Sequence, residues 1–346
     1  MKVSETPDQD ISTNPSSDDG SWSLRSWVRE RGIFKGFVEL PMDRFPWSVT
    51  IICILLAYLL SFSVRLEWID FAQQQYVDSD GNLVSVHPDM LQNGVALPNT
   101  HDSFYFGSIL QKGHLGMHQE NHLIPSVLRN GMITVLPYLI LQVAPSLNIE
   151  TLLLWLPVYV AGIVCIPIVL IGRLYGSSIW GFLAACLAGI THSYYNRTLA
   201  GYYDTDMFSI TIPAFALYFL LSASRRESLG FAAAAAMALY LYRFFYASGQ
   251  AITGSLVIAF IAFRLGLLVL DHFLVYRGSF KESCSKPSSI FTFKSLILIS
   301  FAGYAEAWSY GSWIIASPLR FFLGIVIILA GYFALAFLFS SKARDK

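Results

Sequence analysis

Eight apolar stretches dominate the chain, near residues 47–64, 149–172, 176–192, 207–224, 228–242, 249–270, 292–309 and 321–340. A helix needs roughly 17–25 apolar residues to cross the hydrocarbon of a bilayer. Inside lipid, backbone amides must be bonded within a helix or a closed barrel. The pattern therefore predicts an all-α membrane protein, a bundle of about eight transmembrane helices. The gap between the first two stretches, residues 66–148, is far longer than a connection requires, and loops of that length usually carry function or are disordered. Within it, DSFYFGSILQKG (102–113) and VLRNGMITVLPYLILQV (127–143) read as amphipathic helices that suit the membrane interface.

The first 20 residues are polar, acidic and rich in Ser and Pro, a composition that predicts disorder. With the first apolar run beginning only near Trp47, a cleavable secretory signal is not expected. Residues 21–45 interleave Trp22, Leu24, Trp27, Val28, Ile33 and Phe34 with Arg25, Arg29, Arg31 and Lys35. Such a basic amphipathic segment suits the cytoplasmic membrane surface. Residues 46–341 then form the transmembrane domain.

Composition supports the membrane reading: 55% of residues are hydrophobic and 13% charged, too little polar surface to cover a water-soluble protein of 346 residues. The 23 basic and 23 acidic residues cancel, so no nucleic-acid partner is expected and the placement of the charges carries the information. Eight crossings from a cytoplasmic N-terminus put 17 of the 23 Lys and Arg inside. Arg65, Lys112, Arg129, Arg197, Arg243 and Arg320 are left outside, in line with the positive-inside rule. Both termini are then cytoplasmic, and residues 66–148 and 193–206 share the outer face. Cys53, Cys165 and Cys186 sit in apolar runs as small hydrophobes, and with Cys284 they suggest no disulfide or metal framework.

Candidate chemistry concentrates in SYYNRTLAGYYDTDMF (193–208), where Asp204 and Asp206 form D-x-D just before an apolar run. Helix capping accounts for their position, since an aspartate suits a helix N-terminus. Ligation of a hard divalent cation accounts for it equally. Arg197 lies among Tyr194, Tyr195, Tyr202 and Tyr203, which suit either an interfacial aromatic belt or a pocket for sugar or phosphate. Asp102 precedes an amphipathic patch and is open to the same capping reading. His114, His118 and His122 recur at helical spacing, but Gly113, Gly116 and Pro125 interrupt the helix that metal ligation would need. Asn196-Arg197-Thr198 spells N-x-T in a tight loop, where the pattern reads as coincidence.

SYYNRTLAGYYDTDM resembles the signature stretch of the bacterial single-subunit oligosaccharyltransferases of the epsilonproteobacterial type, related to the archaeal enzymes and the eukaryotic catalytic subunit. The likeness extends through THDSFYFG, GMHQEN and RFFYASG and weakens after about residue 270. It implies a GT-C glycosyltransferase fold in the inner membrane with its active site facing the periplasm. The implied reaction moves a glycan from a polyprenyl-diphosphate-linked oligosaccharide to asparagine in N-x-S/T sequons of an acceptor protein. It assigns Asp102 and Asp204 as ligands of Mn2+ or Mg2+, Asp206 as a carboxylate beside the metal, and Arg197 as the organiser of these acids. Tyr246, with Tyr202, is assigned to substrate binding at the lipid diphosphate.

The likeness is incomplete. The family's later outer loop with a metal-binding glutamate is not matched, nor is its periplasmic domain with W-W-D-Y-G. Glu306, in AGYAEAWSYG, fits no family motif and reads as interfacial. Little or no transferase activity is expected from this chain alone, and a companion C-terminal polypeptide is expected to complete the site. Two other readings stand beside this one: a GT-C glycosyltransferase using a polyprenyl-phosphate sugar with another acceptor, and a non-catalytic lipid-binding or transport protein.

Overall fold

The computed structural model describes residues 45–338 except 93, 118–122, 271, 274–283 and 308–317. The expected tail (1–20), all but the last residue of the interfacial segment (21–45), and His118 and His122 lie outside the described residues. The chain is mostly helical. Helix α1 (Trp47–Val64) coincides with the first apolar stretch, and α2 (Glu67–Ala72) follows after a short turn.

The long segment after α2 departs from a purely helical expectation. Strands β1 (Gln75–Val77) and β2 (Leu83–Ser85) pair antiparallel with Gln75 opposite Ser85, and β3 (Leu91–Gln92) pairs with β4 (Val95–Ala96). The sequence DSDGN makes the first hairpin's tip. Asp78 Oδ1 accepts the N–H groups of Asp80 at 2.9 Å and Asn82 at 2.8 Å, and Gly81 takes φ +82°. Helices α3 (His101–His114) and α4 (Met132–Val143) occupy the two amphipathic patches.

The remaining helices are α5 (Ile149–Gly162), α6 (Cys165–Leu174), α7 (Ser178–Ile190), α8 (His192–Tyr195), α9 (Asp206–Ser209), α10 (Thr211–Arg226), α11 (Leu229–Phe245), α12 (Gln250–Leu270), α13 (Pro287–Ala307) and α14 (Pro318–Leu338). Asn148 caps α5 and Ser177 caps α7, each accepting a first-turn N–H at 3.3 Å. Among the described residues, four helical stretches are long and apolar enough to cross a membrane: Trp47–Ala72, Ile149–Leu174, Asp206–Arg226 and Gln250–Leu270. The apolar parts of α7, α11, α13 and α14 are shorter.

Helix α1 packs against α6 and α7, and Gly172 and Gly181 let the α6 and α7 backbones meet closely. One core cluster spans these helices and α5, through Ala57, Val164, Val169 and Ala185, and takes in Tyr194, Tyr203, Met207 and Phe208. A second joins α10 to α14 through Ala216, Leu220, Ala235, Leu239, Ile299 and Ile328. Arg264 is buried in α12 and donates to Thr292 Oγ1 of α13 at 2.6 Å.

Candidate active site at residues 194–206

The stretch from Tyr194 to Asp206 is held largely by groups from other parts of the fold. Tyr194 is buried, and its hydroxyl donates towards the carbonyls of Ala161 and Met207, with Thr211 Oγ1 3.0 Å away. Burial pushes its phenol up to about 12. Gly201 takes φ +77°, which favours glycine. Its N–H donates to Leu154 O at 2.9 Å and its carbonyl accepts from Asn99 N–H at 3.1 Å. The Tyr203 ring is fully buried, its hydroxyl donates to Ile133 O, and desolvation raises its pKa well above the usual phenol value.

The decisive contact joins the two acidic segments. Thr100 Oγ1 caps α3 by accepting Ser103 N–H at 3.1 Å, so Asp102 sits inside the first turn and is not its cap. Ser103 Oγ then accepts Tyr203 N–H at 2.8 Å and lies 2.9 Å from the Gly201 carbonyl, to which it donates. Asp102 immediately precedes Ser103 and Asp204 immediately follows Tyr203. The backbone segments that carry the two aspartates are thereby joined, a hundred residues apart in the chain.

Each carboxylate keeps an oxygen uncommitted within the described residues. Asp102 is exposed, with no hydrogen bond or ion pair to its side chain. Asp204 Oδ1 accepts from Thr205 N–H at 2.5 Å and the Thr205 hydroxyl at 3.1 Å, which leaves Oδ2 free. Asp206 is buried and begins α9. Arg197 Nε lies 2.9 Å from Asp206 Oδ2 but points its N–H at Tyr202 Oη, 3.4 Å away. The pair is thus an electrostatic contact without an aligned hydrogen bond, and Asp206 Oδ2 stays unsatisfied. Asp102 and Asp204 are also within electrostatic range of Asp206. The Tyr202 hydroxyl and the Asp206 carboxylate raise the Arg197 pKa further.

Tyr246 ends α11 half-buried and stacks on Tyr242 with centroids 5.8 Å apart; the Tyr242 hydroxyl donates to Ser209 O at 2.8 Å. It therefore reaches α9, the helix that Asp206 opens, through one intervening ring. His114 lies in the last turn of α3, and Glu306 falls in α13. Among the described residues no three His, Cys, Asp or Glu side chains close on one point as they stand. The uncommitted oxygens of Asp102 and Asp204 are nonetheless hard donors, the type a divalent cation prefers.

Two residues were missed by the sequence reading. Ser103 carries no local signal to mark it. Arg65 was counted as a loop charge but is fully buried at the end of α1, donating to Ser61, Gly189 and Thr198. Its position beside an apolar helix was the available signal. Thr198 is fully buried with its hydroxyl engaged, so the local N-x-T pattern does not present its threonine to solvent.

The chain is 27% identical over 290 residues to the undecaprenyl-diphosphooligosaccharide–protein glycotransferase of Campylobacter jejuni strain RM1221, covering 84% of this chain and 34% of that protein. The same figures hold for the protein of that description from Campylobacter jejuni subsp. jejuni serotype O:2. The chain thus spans about a third of the length of these curated relatives. Among solved structures, it is similar to the apo oligosaccharyltransferase of Archaeoglobus fulgidus, with TM-score 0.47 and 12% identity, covering 75% of this chain and 33% of that one. The archaeal oligosaccharyltransferase from Archaeoglobus fulgidus in complex with an inhibitory peptide and a dolichol-phosphate gives TM-score 0.49 and 14% identity, covering 86% and 38%. The family model described as oligosaccharyl transferase STT3, N-terminal, matches residues 128–342, more than half of the sequence and inclusive of Arg197, Asp204, Asp206 and Tyr246, and the chain belongs to that family.

Proposed function

We propose that this chain is the N-terminal membrane part of an oligosaccharyltransferase that moves a glycan from a polyprenyl diphosphate to the side-chain amide of asparagine in N-x-S/T sequons. The observation that carries the reading is the Ser103–Tyr203 contact, which sets Asp102 and Asp204 beside the Arg197–Asp206 pair. In the reaction the bond from sugar to diphosphate breaks, its electron pair stays on the leaving diphosphate, a carbon–nitrogen bond forms, and the proton the amide gives up ends on the released diphosphate. A divalent cation, Mn2+ or Mg2+, held by Asp102 and Asp204 would offset the charge that develops on the diphosphate. Asp206 accepts hydrogen bonds from the acceptor amide, turning its N–H groups away from conjugation. Arg197 keeps the close-set carboxylates from repelling one another, and Tyr246 and Tyr202 line the approach of the lipid diphosphate.

The topology follows the same reading: eight crossings in the inner membrane, both termini cytoplasmic, residues 66–148 as the first outer loop, and the carboxylates facing the periplasm. Residues 46–341 form the transmembrane GT-C domain, preceded in sequence by a polar, acidic tail (1–20) and a basic amphipathic segment (21–45). A companion polypeptide corresponding to the unmatched part of the relatives supplies the remaining metal ligand and the acceptor-reading domain.

Expression of the chain with and without the downstream reading frame, followed by glycopeptide analysis, tests this. Transfer to a sequon peptide is expected only in the pair, and Asp102→Ala or Asp204→Ala in that pair should lower turnover by two or more orders of magnitude and weaken metal dependence. His114→Ala should change it little. Equal tolerance of both aspartate changes would defeat the reading.

A further inference from the structure

Resting on that reading, we infer that Arg65 is a positioning residue for the acidic site, acting through the 194–201 stretch. Its guanidinium is completely buried, and among the described residues no carboxylate pairs with it. Only neutral oxygens hold it. Nε donates to Thr198 Oγ1 at 2.9 Å, and Nη1 donates to Ser61 O and Ser61 Oγ at 2.7 Å and to Gly189 O at 2.9 Å. Nη2 has no acceptor among the described residues. The Arg65 carbonyl takes Ala200 N–H at 2.9 Å, and the guanidinium lies 5.2 Å from the centroid of the Tyr194 ring.

A buried cation without a counter-charge is an expensive way to join helices, and apolar side chains of similar volume commonly do so at lower cost. What an apolar side chain cannot do is donate along two directions at once, as the planar guanidinium does. Here the fork reaches the end of α1, the end of α7 and the turn at Thr198. Gly189 permits this, since a Cβ there would lie 3.0 Å from Ser61 Cβ. The contacts at Tyr194, Thr198 and Ala200 bracket Arg197 on both sides. They fix the turn that points Arg197 at Asp206, and they set where Gly201 enters its bond with Asn99 and Tyr203 its bond with Ser103. Arg65 touches none of the carboxylates, yet the placement of all of them depends on the stretch it grips.

The test uses the chain co-expressed with the companion polypeptide and placed in lipid nanodiscs, comparing Arg65→Met, Arg65→Lys and Thr198→Val, with Asp204→Ala as control. Mn2+ binding is read by electron paramagnetic resonance, and backbone order by hydrogen exchange. Arg65→Met should weaken Mn2+ binding by about 10–100-fold, the range for residues that orient metal ligands, and should speed exchange selectively across residues 197–206. Arg65→Lys keeps the charge but loses the fork, and should fall between Met and the unaltered chain. Thr198→Val removes a single acceptor and should reproduce part of both effects, which decides the matter should Arg65→Met fail to fold. Unchanged Mn2+ binding and exchange in the folded variants, or faster exchange spread evenly over all helices, would overturn the inference. Mn2+ binding that is absent, or indifferent to Asp204→Ala, counts against the functional reading, while the exchange at 197–206 still judges Arg65.

Discussion

At Gly201 a Cβ would sit 3.1 Å from Pro98 Cα and 3.3 Å from Leu97 O, on a backbone with φ +77°. The residue two positions later, Tyr203, spends its hydroxyl on the Ile133 carbonyl in a fully buried setting. Neither carries chemistry, but together they decide where Asp204 emerges. Gly201→Ala should cost about 1–3 kcal/mol through strain at a left-handed position. Tyr203→Phe should cost about 1–3 kcal/mol by leaving a buried carbonyl unpaired. Thermal unfolding in detergent would measure both, with Tyr202→Phe as the near-neutral comparison. Arg197 is more than half exposed, so its pairing with Asp206 adds little to stability. Its worth lies in the field it imposes on the carboxylates.

Between elements, glycine contacts set the approach of the helices that carry these residues. A Cβ at Gly181 would lie 2.7 Å from Val169 O and 2.9 Å from Val169 Cα, so α6 and α7 pack backbone to backbone. Close approach through small residues is the usual means of helix association in lipid, where apolar side chains gain nothing by leaving the membrane. Gly181→Leu should force α7 off α6 and α1, lower the melting temperature by several degrees and loosen the 191–206 stretch that follows α7. Unchanged melting and unchanged protease resistance of that stretch would contradict this packing role. The capping question raised by the sequence is answered at the same scale. Thr100 caps α3, and no side chain caps α9, so Asp102 and Asp204 are left with oxygens for other partners.

For the whole molecule, the prediction concerns sidedness. With eight crossings, the tip of the first hairpin faces outward and the turn after α10 faces the cytoplasm. In a background with Cys186 and Cys284 replaced by serine, a cysteine introduced by Asp78→Cys should react with an impermeant maleimide in intact cells. One introduced by Glu227→Cys should react only after lysis. Labelling of both from the same side would overturn the crossing count. Under the proposed function this arrangement matters, because a lipid-linked donor and a protein acceptor would have to meet the carboxylates on one face.

The sequence by itself determined that this is a mostly helical membrane protein and where its long apolar helices lie, because burial in lipid demands long apolar stretches whatever the neighbours are. Helix α1 spans the first apolar stretch from end to end, and α3 and α4 occupy the two amphipathic patches. The chain also displayed its acidic stretch and Arg197 through local spacing and resemblance. Only the tertiary structure decided that Ser103 bonds Tyr203, that Arg65 is sealed beneath Thr198, and that hairpins occupy part of the long segment after α2. These are matters of contact between residues far apart in the chain or of short-range turn closure, and hydrophobic periodicity is blind to both. A charge at a helix end looks the same in sequence whether it reaches for water or for a buried hydroxyl, and only packing separates the two.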